Sequence, residues 1–241
     1  MISRRISALC LSMATVLGLF GAWSANASAL GEKFHSELEH TVLTGANYET
    51  NGAGEEVISE GEHSFTAGPF SVKCSTTTVS GTWSEKTPET MTMHPTYKNC
   101  KDNFGAAATI QTTGCNLVFW SEVLGGSDAK VEVECEAGHT INISEPGCTV
   151  SIAPQSSPGA TYTTGGVMGS EDITVKSTFE AKFTKVGGFC VTEATKGKYV
   201  GSWTVRGYND KCNAGECPFA PGGEGDKDAY KDENVVGIWW K

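Results

Sequence analysis

The chain has 241 residues, 39% hydrophobic and 19% charged, with 29 Gly, 27 Thr, 9 Cys and 5 His and a formal net charge of -10. Apolar residues spread along the whole length exclude global disorder, collagen-like repeats and coiled coils, and the acidic balance leaves no cation surplus for general nucleic-acid binding. The excess of Thr and Gly, with scattered Val, Ile and aromatic residues, points to short strands joined by turns.

Arg4 and Arg5 precede an apolar run from Ile6 to Trp23, and the small residues Ala25, Asn26, Ala27, Ser28 and Ala29 follow it. This is the charged, apolar and small-residue order of a secretory signal peptide. Residues 1–29 are read as that signal, cut after Ala27 or, preferably, Ala29. The paired arginines alone are a weak case for a twin-arginine route, and Cys10 sits inside the apolar run, where a lipoprotein signal has no room. The run falls short of the ~20 residues of a membrane helix, and no later stretch approaches that length. The mature chain is therefore expected to be exported, either extracellular or held in the cell envelope, and not membrane-spanning. Its charge becomes -12, from 16 basic and 28 acidic residues.

Residues 30–62 are rich in Glu and broken by Asn51-Gly52 and Gly54; one strand is expected near His40–Thr44. Residues 63–208 carry the period-two alternation of half-buried strands. It is clearest at Val131–Cys135 and Cys148–Ile152, with similar runs at Ser71–Cys74, Thr76–Trp83, Ala107–Thr112, Cys115–Trp120, Thr140–Ile143, Ile173–Val175, Phe179–Phe183 and Tyr199–Val205. Gly125-Gly126, Pro146-Gly147, Pro158-Gly159, Gly165-Gly166 and Gly187-Gly188 read as the intervening turns. Residues 209–241 form a Gly- and Asp-rich excursion that returns a final strand through Val235–Trp240. No run of helical length has a 3.6-residue period, so the expected fold is all-β: a disulfide-rich antiparallel β-sandwich, or two related β-lobes.

Eight cysteines survive signal removal: Cys74, Cys100, Cys115, Cys135, Cys148, Cys190, Cys212 and Cys217. An even number outside the cytoplasm suits complete disulfide pairing. Eight cysteines allow 105 pairings; local spacing suggests Cys74 with Cys100, Cys135 with Cys148 and Cys212 with Cys217, which leaves Cys115 with Cys190. Zinc is the rival use of thiolates, but there is no CxxC pair.

Metal and catalytic signatures are thin. His35, Glu37, Glu39 and His40 stand together in HSELEH without the HExxH spacing of a zinc helix, and a solvated acidic edge is the favoured reading. Asp226, Asp228 and Asp232 are weak calcium candidates in a loop that lacks the EF-hand pattern. There is no GxSxG elbow, P-loop or Rossmann glycine pattern, and His63, His94 and His139 are scattered. Asn142-Ile-Ser144 is a glycosylation sequon. Among Trp83, Trp120, Trp203, Trp239 and Trp240, the adjacent last two must point to opposite faces of a strand. The outward ring of that pair is the best candidate for a contact surface, with a carbohydrate or protein ligand.

FSVKC (70–74), PTYKNC (95–100), GCNLVF (114–119), VEC (133–135), CTVSI (148–152) and GKYVG (197–201), taken together, resemble a group of uncharacterised secreted β-rich proteins of soil bacteria that carry a signal peptide and six cysteines in this order. The resemblance covers residues 34–208 and implies no activity; Cys212, Cys217 and the tail depart from it. The leading expectation is a secreted, non-enzymatic binding or envelope-associated protein. An extracellular hydrolase whose site assembles on folding and a calcium-dependent adhesion module are the alternatives.

Overall fold

The computed structural model describes residues 33–50, 56–58, 63–123, 128–167, 170–188, 197–209 and 235–241. The strands follow the alternation in chain order: β1 (Phe34–Ser36), β2 (Thr41–Ala46), β3 (Tyr48–Thr50), β4 (Glu56–Ile58), β5 (His63–Ala67), β6 (Phe70–Trp83), β7 (Thr90–Asp102), β8 (Ala107–Gln111) and β9 (Cys115–Val123). They continue with β10 (Ala129–Cys135), β11 (Ile141–Glu145), β12 (Cys148–Ile152), β13 (Gln155–Val167), β14 (Ser170–Ala181), β15 (Phe183–Gly188), β16 (Gly197–Tyr208), β17 (Val235–Val236) and β18 (Ile238–Trp240). The described residues contain no helix, and so none long and apolar enough to cross a membrane.

The all-β, antiparallel and disulfide-linked character read from the sequence is what the structure shows, and the sheet takes a barrel-like form. Strands β7, β9, β10, β13, β14, β16, β2 and β6 pair in that order, and β6 pairs back onto β7, so the ring closes. Closure satisfies the backbone groups that an open sheet leaves on its edges. Leu43, Met91, Met93, Phe119, Ile173, Val175 and Trp203 fill the interior. Thr161, Thr163, Lys176, Thr178, Glu180 and Lys198, which alternate with inward residues, are exposed on the outside. A membrane-spanning barrel carries the reverse pattern, with its apolar band outward.

Two short strands share one place in the ring. β2 pairs with β16 through Val42–Ala46, and β5 pairs with the same strand further along, through Ser64–Thr66. The β3–β4 pairing falls between these two strands in the chain and is not part of the ring. Buried Asn47 closes the gap: its Nδ2 donates to Ser75 O at 2.9 Å, and its Oδ1 accepts from Thr77 N–H at 3.0 Å. Below the ring, the end of β7 passes to β8, and the sheet runs on through β11, β12 and β15. Phe70, Ala108, Ile143, Val150, Ile152 and Phe183 extend the ring's core into this region without a break.

Several sequence expectations are corrected. Pro158-Gly159 is no turn: it lies within β13, where the register on β10 steps from Lys130↔Pro158 to Ala129↔Ala160 and leaves Gly159 as a bulge. Pairing with β14 begins only at Ala160, so the missing Pro158 N–H costs no bond on that side. Gly159 has φ +149°, and a Cβ there would collide with the Thr178 carbonyl. Gly165-Gly166 lies in β13 too, opposite Asp172 and Glu171, and Gly187-Gly188 ends β15, opposite Thr149 and Cys148; in both places the neighbouring strand extends the ladder through the glycines. The disulfides also differ. Cys74–Cys100 forms as expected, but Cys115 bonds Cys135, which overturns both Cys135–Cys148 and Cys115–Cys190. The reason is register, since Cys115 and Cys135 are directly opposed in the β9–β10 hairpin. Cys148 is disulfide-bonded as well; Cys190, Cys212 and Cys217, and with them the expected Cys212–Cys217 bridge, lie outside the described residues.

Candidate functional site

At one end of the ring, β1 and β18 pair only with each other and form a two-stranded strap. Its register is Phe34↔Trp240, His35↔Trp239 and Ser36↔Ile238, extended by reciprocal backbone bonds between Lys33 and Lys241. Alternation divides the strap into two faces. Phe34, Ile238 and the Trp240 ring belong to the inner one: Phe34 stacks on Trp83 at 5.7 Å and meets Tyr162 edge-on at 4.9 Å, and Trp240 Nε1 donates to Ser121 O at 3.2 Å. The outer face carries His35 and Trp239, stacked 5.5 Å apart with their rings within 9° of parallel and both partly exposed. Thus Trp240 turns in and Trp239 turns out. Partial burial, then the ammonium groups of Lys241 and Lys33, lower the His35 imidazole from its ordinary value.

Beyond Ser36 the HSELEH segment leaves the strand, and Glu37, Leu38, Glu39 and His40 lie exposed in a bend. His35 therefore lies apart from Glu37, Glu39 and His40, on the strap. Among the described residues no three His, Cys, Asp or Glu side chains are grouped to hold a metal ion. Asp226, Asp228 and Asp232 lie outside the described residues.

The histidines occupy three separate places. His94 is exposed on the outside of β7, and His139 faces Thr113 O at 3.1 Å in the turn after β10. His63 is fully buried inside the barrel, with Nδ1 2.7 Å from Tyr199 Oη and Nε2 3.0 Å from Ser202 O. Since a carbonyl only accepts, Nε2 carries the proton and Nδ1 accepts from the Tyr199 hydroxyl. Tyr97 in turn bonds the Tyr199 hydroxyl. Burial drives His63 down to about 4 and pushes both tyrosines upward. Gly201 makes room for the chain, because a Cβ there would lie against His63 Nδ1 and Tyr199 Oη. Neither the spacing of His63 nor that of the tyrosines marks this network in the sequence; Gly201, set between the inward Tyr199 and Trp203, is the one local sign.

Two further features lie on the outer wall. Trp120 holds Lys130 Nζ 3.6 Å above its ring and donates from Nε1 to Glu132 at 2.8 Å, and Lys130 also bonds Glu132 at 3.0 Å. Burial pushes the Glu132 carboxyl up, but the Lys130 and Trp120 bonds and the Lys130 charge outweigh it, and the net displacement is downward. The three side chains satisfy one another. Beside them an open groove of about 430 Å³ runs along Glu132, Glu134, Cys135, Gln155 and Ser156. Asn142 of the sequon is partly buried on β11 and exchanges hydrogen bonds with Thr140.

No protein-family model matches the chain, and no curated protein or solved structure matches it either. The fold defines a disulfide-linked β-barrel protein, and its functional reading rests on the chemistry of the strap and barrel alone.

Proposed function

We propose that the chain is a secreted, non-enzymatic binding protein of the extracellular space or cell envelope, and that the outer face of the strap, Trp239 with His35, is its contact surface. The observation that carries this reading is the stacked pair itself: a partly exposed indole on a strap anchored from beneath by Phe34 and Trp240. A rigid aromatic surface loses little conformational entropy on contact and suits the apolar face of a sugar ring. The disulfides are those of an oxidising compartment, in keeping with export. Against a hydrolase stands the placement of His63, whose hydrogen-bonded chain is sealed inside the barrel away from any substrate.

Affinity electrophoresis through gels containing a panel of soluble polysaccharides tests this. The expected result is retardation in at least one gel, lost in Trp239→Ala with the far-UV spectrum unchanged. Retardation that survives Trp239→Ala would move the surface elsewhere, and polysaccharide cleavage abolished by one point substitution would make the protein an enzyme.

A further inference from the structure

The charges around the stacked pair narrow what the outer face of the strap takes. Resting on the reading of that face as the contact surface, we propose that its ligand is an acidic polysaccharide, with the pyranose ring of a uronate on Trp239 and its carboxylate between Lys241 and Lys33.

Alternation carries more than the stacked pair to this face. Lys33 and Lys241 are joined by reciprocal backbone bonds of 2.7 and 3.1 Å, two residues along each strand from His35 and Trp239, so all four side chains share one side of the strap. Both ammonium groups act on the His35 imidazole and lower it, as neighbouring cations do. Like charges opposed across a strand pair weaken the pairing, and an anion between them relieves it. Lys33 Nζ has one partner already, Glu89 at 3.2 Å in an exposed ion pair. The Lys241 ammonium is exposed and has no bonded partner among the described residues.

The other end of the strap has the opposite sign. A Cβ on Gly237 would meet the Glu171 carboxylate and lie 3.5 Å from Glu37 Cδ, so carboxylates flank Trp239 on one side and ammonium groups on the other. An anionic group is drawn to one end and turned away from the other, which gives a charged ring a direction and a neutral ring none. Two ammonium groups can each donate to one oxygen of a carboxylate, while the indole takes the apolar face of the sugar. The negative charge of the chain as a whole does not oppose this, because exposed charges more than about 10 Å away are screened at moderate salt.

Affinity electrophoresis of the intact, oxidised protein through gels of polygalacturonate, its methyl ester and dextran sulfate tests this, since the ester keeps the sugar rings and removes the charge. Polygalacturonate should retard the protein and the ester much less, with the difference closing as NaCl rises from about 20 to about 300 mM. Trp239→Ala should abolish the retardation. Lys241→Gln, which keeps the backbone bonds of the strap, should weaken it about two- to fivefold. An NMR titration of the imidazole supplies a second reading. Around His35 stand Lys33 and Lys241, with Glu89 beyond Lys33 and Glu37 and Glu171 beside Gly237. Trigalacturonate should raise His35, because its carboxylate offsets the two ammonium charges, whereas a neutral ring laid on the pair can only bury the imidazole and lower it. Equal retardation by the ester, an unchanged Lys241→Gln, or a His35 that falls on binding would overturn the acidic ligand and leave the contact surface standing. Retardation by dextran sulfate and none by polygalacturonate would overturn the uronate. No retardation in any gel, neutral polysaccharides included, would remove the contact surface as well.

Discussion

His63 is uncharged because nothing near it compensates a charge. It faces Tyr97, Tyr199, Trp203 and the Ser202 carbonyl, and none of them carries a negative charge at neutral pH. Its value of about 4 in the fold against 6.5 in the unfolded chain means that the unfolded state binds the extra proton between those two pH values. Stability from this residue is therefore complete above pH 6.5 and is lost as pH falls toward 4, by about 3 kcal/mol in all. Urea titrations of the parent and of His63→Gln from pH 7.5 to 4 should show that difference; parallel pH profiles would refute the buried neutral imidazole. Tyr199→Phe removes the donor to Nδ1 and the acceptor for Tyr97 together, and at pH 7 it should cost about 1–3 kcal/mol by the same titration. Gly201→Ala forces a methyl against the same hydrogen bond and should cost a similar ~1–3 kcal/mol by overpacking.

Among the elements, each disulfide ties opposed residues of one hairpin, Cys74 with Cys100 across β6–β7 and Cys115 with Cys135 across β9–β10. Cys74 is 0% and Cys100 6% exposed, whereas Cys135 is partly exposed and lines the open groove. Access to attacking thiolate should govern the order of reduction. Timed reduction by dithiothreitol, trapped by alkylation and read by mass spectrometry, should open Cys115–Cys135 first; the reverse order would contradict the placement of the two bridges. Replacing both Cys74 and Cys100 by Ala releases a loop of separation 26, worth about 3–4 kcal/mol in the chain-entropy model, measurable by thermal melting. The alternation that announces β10, β12, β14 and β16 was legible because each has one face inward and one outward. β7 and β13 were harder to see. Pro95 lies in the middle of β7, and β13 carries Pro158-Gly159 and Gly165-Gly166, both of which read as turns, and only the register of neighbouring strands shows that the ladder tolerates them. The pairings Cys135–Cys148 and Cys115–Cys190 failed for the same reason, while Cys74–Cys100 held. Spacing along the chain cannot say which cysteine stands across a hairpin.

For the whole molecule, composition and alternation foretold a sheet-built protein but not that the sheet closes, because closure depends on β6 meeting both β2 and β7. The strap was half legible: the tandem Trp239-Trp240 announced one inward and one outward ring, while its partner β1 is only three residues long and leaves no periodic signature. Closed ring, strap and paired cysteines make up a disulfide-linked barrel. All of this depends on the strand register, and the register places particular sulfurs opposite one another. Peptide mapping of the unreduced, natively purified protein by mass spectrometry reads that directly. The account predicts Cys74 linked to Cys100 and Cys115 linked to Cys135; free thiols at these positions, or a Cys135–Cys148 peptide, would contradict it.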